Sequence, residues 1–218
     1  MPSKTPPRAT ASLDLICCAL VDSALAVLVR TRGASAECPW IPLDPATPLD
    51  AAAARFAKAA VGRAPAWMAQ VGATTDGRAH PSKAPLTVSY VAVVPAGTTA
   101  PAGARWVPVT ALPTLAARQK ELVAAALATL RDRMDLAPIA FRLLPAAFTL
   151  AELQATYELL LGRRLHKASF RRALQGAFLV EPTDAWRSEG RGRPAQLFRY
   201  APRTRRGRGR SVRFELLG

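Results

Sequence analysis

Ala168, Arg171, Arg172 and Gln175 recur at a spacing that gathers them on one side of a helix, and their side chains suit one kind of chemistry. Arg presents a planar fork of donors to phosphate or to a guanine edge, and Gln can pair with an adenine edge. A small residue among them lets a helix lie close in a major groove. A second group, Arg55 and Gly62, has the spacing that frames a metal-dependent catalytic site on a helix. Phe56, Ala57, Lys58, Ala59, Ala60 and Val61 stand between them, and the one acid of the stretch is Asp50 at its start. A hard cation needs oxygen ligands, and this frame supplies none. The thiols offer less still. Cys17 and Cys18 are neighbours in a strand-like run, so they point to opposite faces and cannot ligate one metal together or pair easily. With Cys38, His80 and His166 they make no zinc spacing. They read as reduced, buried thiols, and neither a metal nor a cofactor is implied.

The elements that must position these groups differ between the two parts of the chain. In residues 1–135 there are 14 basic and 9 acidic residues, a net of +5, whereas residues 136–218 hold 16 basic and 6 acidic, a net of +10. All but one of those 16 are arginines, a bias that points to a polyanion. A GC-rich genome also raises Arg and Ala, but it does not account for the asymmetry. The first part is predicted as strands at 13–21 and 24–30 joined by Val21-Asp22-Ser23, a loop over 31–49, a helix at 51–61 and a buried strand at 86–95. A short strand around 105–109 and a helix over 119–134 follow. No apolar run approaches the ~20 residues that span a bilayer. The polar, Pro-rich start makes a poor signal peptide, so a cytoplasmic protein is expected.

The second part opens with Thr149-Leu-Ala-Glu152, a capping box ahead of a helix that carries Leu150, Leu153, Tyr157, Leu160 and Leu161. Gly162 suits a left-handed helix end, and four residues later a second helix begins near His166, which makes a helix-turn-helix. At about 100° per residue, Phe170, Leu174 and Ala177 share an inward arc of roughly 60°, with Ala168, Arg171, Arg172 and Gln175 opposite. A solvated face carrying two arginines is the other reading of that helix. Residues 179–186 and 196–200 read as a hairpin whose tip, 187–194, is basic. Helix, turn, helix and a basic-tipped hairpin is the order of a winged helix. The tail 203–213 carries six arginines and no acid and suits phosphate contacts, while Val212, Phe214 and Leu216 alternate as in a strand.

Residues 143–174 (L-L-P-A-A-F-T-L-A-E-L-Q-A-T-Y-E-L-L-L-G-R-R-L-H-K-A-S-F-R-R-A-L) and 192–200 (G-R-P-A-Q-L-F-R-Y) resemble the winged-helix domain of the Nudix-related transcriptional regulators. That resemblance implies a domain that binds a palindromic double-stranded DNA operator as part of a homodimer. The regulated genes would belong to NAD-related or sugar metabolism, with ADP-ribose or a related nucleotide as effector. It implies Lys167, Arg171 and Arg172 on a recognition helix, and Arg191 and Arg193 on the wing. His166 departs from the family's usual Asp cap, and His is the weaker cap.

The first part is similar to the family's Nudix-like sensor. Strand, strand, a loop with Trp40, a helix, L-T-V-S-Y-V-A-V-V-P, W-V-P-V-T-A-L-P and a further helix agree in order. The Nudix signature helix ends R-E-x-x-E-E-x-G, so Phe56, Ala59 and Ala60 occupy its three Glu positions and prolines of W-I-P-L-D-P replace its loop glycines. A Nudix enzyme uses those glutamates to hold Mg²⁺ against a diphosphate and to help activate water. The resemblance therefore implies a non-catalytic cleft, with Arg30, Trp40 and Arg55 as candidates for holding a nucleotide; core packing is the other reading of Trp40, and covering the helix that of Arg55. The expected fold class is α+β, a Nudix-like α/β/α sandwich followed by a winged helix-turn-helix. The division is a flexible start at 1–10, a sensor and dimerisation unit at 11–135, a DNA-binding unit at 136–202 and an Arg-rich tail at 203–218. The alternatives are a residual nucleotide-sugar pyrophosphohydrolase and an effector-independent nucleic-acid-binding protein.

Overall fold

The computed structural model describes residues 10–32, 35–188 and 194–201. Its front part is built on a mixed sheet of β1 (Ala11–Val21), β2 (Ala24–Arg32), β3 (Ser35–Glu37), β4 (Trp40–Pro42), β5 (Trp67–Thr74), β6 (Leu86–Val93) and β7 (Ala104–Pro108). The main order is β3-β2-β1-β6-β5, with β4 on β1 and β7 on β2. The β1–β6 pair is parallel and the others antiparallel. The turn between β1 and β2 is two residues long, and Asp22 and Ser23 both have positive φ, 47° and 61°. Those angles are what a mirror-image hairpin turn requires for its twist to match the strands.

Strand alternation divides the core into two layers. Leu13, Leu15, Cys17 and Ala19 of β1 join Leu28, Tyr90 and the apolar face of α1 (Leu49–Val61), formed by Ala53, Phe56, Ala57 and Ala60. Ile16 and Cys18 face the other way, into a cluster with Leu122, Val123, Ala126 and Leu130 of α2 (Ala117–Arg133). A central strand covered on both faces is why β1 reads as a nearly unbroken apolar run. Cys17 and Cys18 therefore lie in opposite layers, and all three cysteines are free and buried. Burial pushes the Cys18 thiol up to about 12 and raises Cys17 and Cys38 in the same direction. Thiols held this way are poor nucleophiles.

The second part comprises α3 (Ile139–Leu143), α4 (Leu150–Leu161), α5 (Lys167–Ala177) and a hairpin of β8 (Val180–Arg187) with β9 (Ala195–Tyr200). Phe148 adds a single bridge to Phe198, which ties the entry to α4 onto the hairpin. Phe141 is the hub, with ring centroids 5.8 Å from Phe148, 6.2 Å from Tyr157 and 4.5 Å from Tyr200, and Tyr157 reaches Phe170 at 5.7 Å. The apolar cluster of the α2 layer continues without a break into Phe141, Leu153, Tyr157, Phe170 and Leu174. Among the described residues, no helix is long and apolar enough to cross a membrane.

The predicted strands and helices are present with ends shifted by a few residues, but β5, the short β3 and β4, and α3 lie where no element is predicted. W-M-A-Q-V-G-A-T carries Ala and Gly with one β-branched residue before its last, so its pattern is weak. It is a strand because it pairs with β6, with a bulge between Gln70 and Gly72.

Candidate nucleic-acid interface

Thr149 begins α4 with a reciprocal cap. Its hydroxyl accepts from the Glu152 backbone N–H at 3.1 Å, and the Glu152 carboxylate accepts from the Thr149 backbone N–H at 2.7 Å. Gly162 ends the helix at φ 67°, a conformation an L side chain resists. The following turn is held from within α4. Glu158 accepts from the Leu165 backbone N–H at 2.9 Å, from Gln154 at 3.0 Å and from Arg164 at 3.0 Å. The Leu165 N–H, then Gln154 and Arg164, keep the Glu158 carboxyl below the ordinary Glu range. His166 caps α5 without a side-chain bond to the helix backbone; its ring nitrogen lies 3.3 Å from the Ser169 hydroxyl instead.

On α5, Phe170 and Leu174 are each 1% exposed and dock the helix on the aromatic hub. Ala177, expected in the same arc, is half-buried. Lys167, Ala168, Arg171, Arg172 and Gln175 are all exposed. Among the described residues, the side chains of Lys167, Arg171, Arg172 and Gln175 make no hydrogen bond or ion pair. The helix ends at Phe178, which takes φ 52° and leaves its ring half exposed. The outer face of α5 thus carries three uncommitted cations and an amide, backed by a fixed apolar anchor.

The hairpin is tied to the start of α4. Arg187 donates to Glu152 at 2.5 Å, and Arg199 to Glu181 at 3.1 Å. Burial works to raise the Glu152 pKa, but the Thr149 N–H and the Arg187 guanidinium outweigh it and hold the carboxyl below its ordinary value. Trp186, next along β8, is exposed. Arg191, Arg193 and the tail 203–218, with its expected strand, lie outside the described residues.

In the front part, Phe56 and Ala60 of α1 are buried and Ala59 is exposed. The Arg30 guanidinium carbon sits 5.9 Å from the Phe56 ring centroid, a cation–π distance. Arg55 is exposed one residue away, so Arg30 and Arg55 border the same stretch of α1. Trp40 turns elsewhere: its indole N–H donates to Glu37 at 3.1 Å and its ring meets His80 edge-on at 5.9 Å. Among the described residues, no three His, Cys, Asp or Glu side chains form a group able to hold a metal ion.

The Glu158 clamp, the Glu152–Arg187 tie and the exposed Phe178 and Trp186 escape a reading by spacing. The first joins residues through a turn and the second joins the start of α4 to β8, and the last two are large apolar residues at positions where a core would be inferred.

Residues 140–200 match the NrtR DNA-binding winged helix domain. The chain is 40% identical over 87 residues to the ADPR responsive transcriptional repressor NtrR of Acinetobacter baylyi, a match covering 40% of this chain and 34% of that protein. It thus spans about a third of the length of that curated relative. Its structure is similar to the crystal structure of Shewanella oneidensis NrtR complexed with a 27mer DNA, with a TM-score of 0.73, 24% identity and coverage of 88% of this chain and 94% of that one. It is also similar to a MutT/nudix family protein from Enterococcus faecalis, with a TM-score of 0.64, 17% identity and coverage of 90% and 89%. The fold is α+β: a Nudix-like α/β/α sandwich followed by a winged helix.

Proposed function

We propose, from the NrtR-type winged helix that residues 140–200 form, that this chain is a cytoplasmic, DNA-binding transcriptional repressor. The observation that carries the reading is the outer face of α5, where Lys167, Ala168, Arg171, Arg172 and Gln175 are exposed opposite the buried Phe170 and Leu174. A helix so divided enters a major groove with its apolar side still docked. Arg and Gln then reach base edges while Lys and the wing arginines Arg191 and Arg193 meet phosphates. One winged helix reads a half-site, so a homodimer on a palindromic operator is the working form.

The Nudix-like unit is non-catalytic in this reading. Phe56 and Ala60 are buried against the sheet and Ala59 carries no oxygen, so α1 has no base and no metal ligand to offer at those positions. The unit instead joins the two copies and binds a nucleotide effector, with Arg30 and Arg55 as phosphate partners. The A. baylyi relative is ADPR responsive, which makes ADP-ribose the first effector to try. An effector that favours the wrong spacing of the two winged helices releases DNA.

Fluorescence anisotropy of the full-length protein on DNA from upstream of its own gene, with and without ADP-ribose, tests the reading. Binding tighter than to a scrambled duplex, weakened by ADP-ribose, is the expected result. Equal affinity for both duplexes at moderate salt would sink sequence-specific regulation, and turnover of ADP-ribose would restore the hydrolase alternative.

A further inference from the structure

Asp14 is fully buried at the start of β1, on the α2 face of the sheet. It accepts from Ser12 at 3.0 Å, from His80 Nε2 at 2.8 Å and from Gln119 Nε2 at 3.0 Å. The Ser82 backbone N–H donates to His80 Nδ1 at 3.1 Å, which leaves the ring proton on Nε2, facing Asp14. Gln119 also exchanges hydrogen bonds with both backbone groups of Cys38. This network fixes the floor beneath the second residue of α2, Arg118.

Arg118 is 2% exposed. Its Nε donates to Asp76 at 3.0 Å, and its Nη1 donates to the Ala84 carbonyl at 2.7 Å and to the Thr87 hydroxyl at 3.2 Å. Among the described residues its Nη2 has no partner, yet no side-chain nitrogen or oxygen shut off from solvent lacks one. Nη2 is therefore reached from outside. The way in is a cavity of about 860 Å³ lined by Arg118 together with Arg78, Lys83, His80, Thr10 and Thr75. The lining holds three cations and no carboxylate. Arg78 is half exposed there; its Nη1 pairs with Glu121 at 2.7 Å and its Nε lies 3.7 Å from Asp76.

A guanidinium pinned by three bonds with one donor edge left open is preorganised, because it loses little side-chain freedom when an oxyanion arrives. The volume suits a small ligand. From these observations we propose that the cavity binds a small molecule through a phosphate or carboxylate group, received by Arg118 Nη2 and by Arg78. Arg30 rests on Phe56 of α1, on the opposite face of the sheet, so this site is separate from the cleft that Arg30 and Arg55 border. It stands or falls without reference to DNA.

Calorimetric titration of the full-length protein with sodium pyrophosphate, and separately with citrate, tests the site and tells the two chemistries apart. Saturable binding of at least one is expected, the tighter arm naming the group the site takes. Arg78→Ala should weaken it about tenfold, the scale of one charge-assisted hydrogen bond, and Arg118→Lys more. Arg118 also ties the fold together, so Ala79→Phe serves as the second variant; Ala79 is exposed on the cavity wall, and the added ring fills the space. Arg63→Ala and Arg133→Ala, at exposed arginines outside the cavity lining, should leave the titration unchanged. The proposal is overturned if neither anion binds saturably. It is equally overturned if binding is lost in Arg55→Ala or Arg171→Ala while Arg78→Ala and Ala79→Phe retain it.

Discussion

Arg171 is exposed on α5 with no partner among the described residues, so nothing within the protein competes for its guanidinium. If it reads a base, Arg171→Ala should cost about 1–3 kcal/mol on the operator and far less on scrambled DNA. Anisotropy titrations on both duplexes measure this, and an equal loss on both would make Arg171 a phosphate contact. The face that carries Arg171 is legible in the sequence because helical period alone separates it from Phe170 and Leu174. Residues that act through a turn are not legible in this way. Glu158 belongs by spacing to α4, and only the folded turn brings the Leu165 N–H to its carboxylate at 2.9 Å. Arg118 is hidden for a related reason: as a charged residue near a helix start it reads as solvated, yet Asp76 and Ala84 of the β5–β6 connection and Thr87 at the start of β6 fold over to bury it.

At the scale of elements, the start of α4 is legible in the sequence because a capping box is a local pattern, four residues long, that needs no tertiary partner. Thr149→Ala should cost about 1 kcal/mol, the usual worth of such a cap, measured by urea denaturation. The same junction gives a pH dependence. Glu152 is held below its ordinary value of 4.5, so folding favours the ionised form. Its contribution is fully present above that value and is lost as the pH falls through the lower folded-state value. Amide protection factors in β8 and β9, corrected for the intrinsic exchange rate, should therefore fall on acidification below about 4.5 as the carboxylate releases Arg187, and Glu152→Gln should remove that dependence. A hairpin whose exchange is the same in Glu152→Gln as in the wild type across this range would show that the tie to α4 does not hold the wing. β5 illustrates the opposite case. Its residues have little strand pattern of their own, and it exists because β6 offers an edge.

For the whole molecule, the sequence suggests a boundary between residues 135 and 136, where charge and pattern change, but the apolar cluster does not break there. Ile16 and Val91 of the sheet, Leu130 of α2 and Tyr157 and Phe170 of the winged helix belong to one buried group. Such continuity is invisible in a pattern of elements, because it depends on which faces meet. α2 is its spine: 17 residues, or about 25 Å at the helical rise. Arg118 sits at the cavity at one end, and at the other Arg131 donates to the Leu160 carbonyl at 3.1 Å. A helix packed on both units can pass a displacement from one to the other only if the two share stability. Leu130→Ala, which removes a side chain 0% exposed, should cost about 2–5 kcal/mol. If the cluster is one cooperative body, native-state exchange protection in β6 and in α4 should fall by the same free energy. Loss of protection in α4 with β6 unchanged would show two independently stable units. A ligand in the cavity would then have no route through α2 to α5.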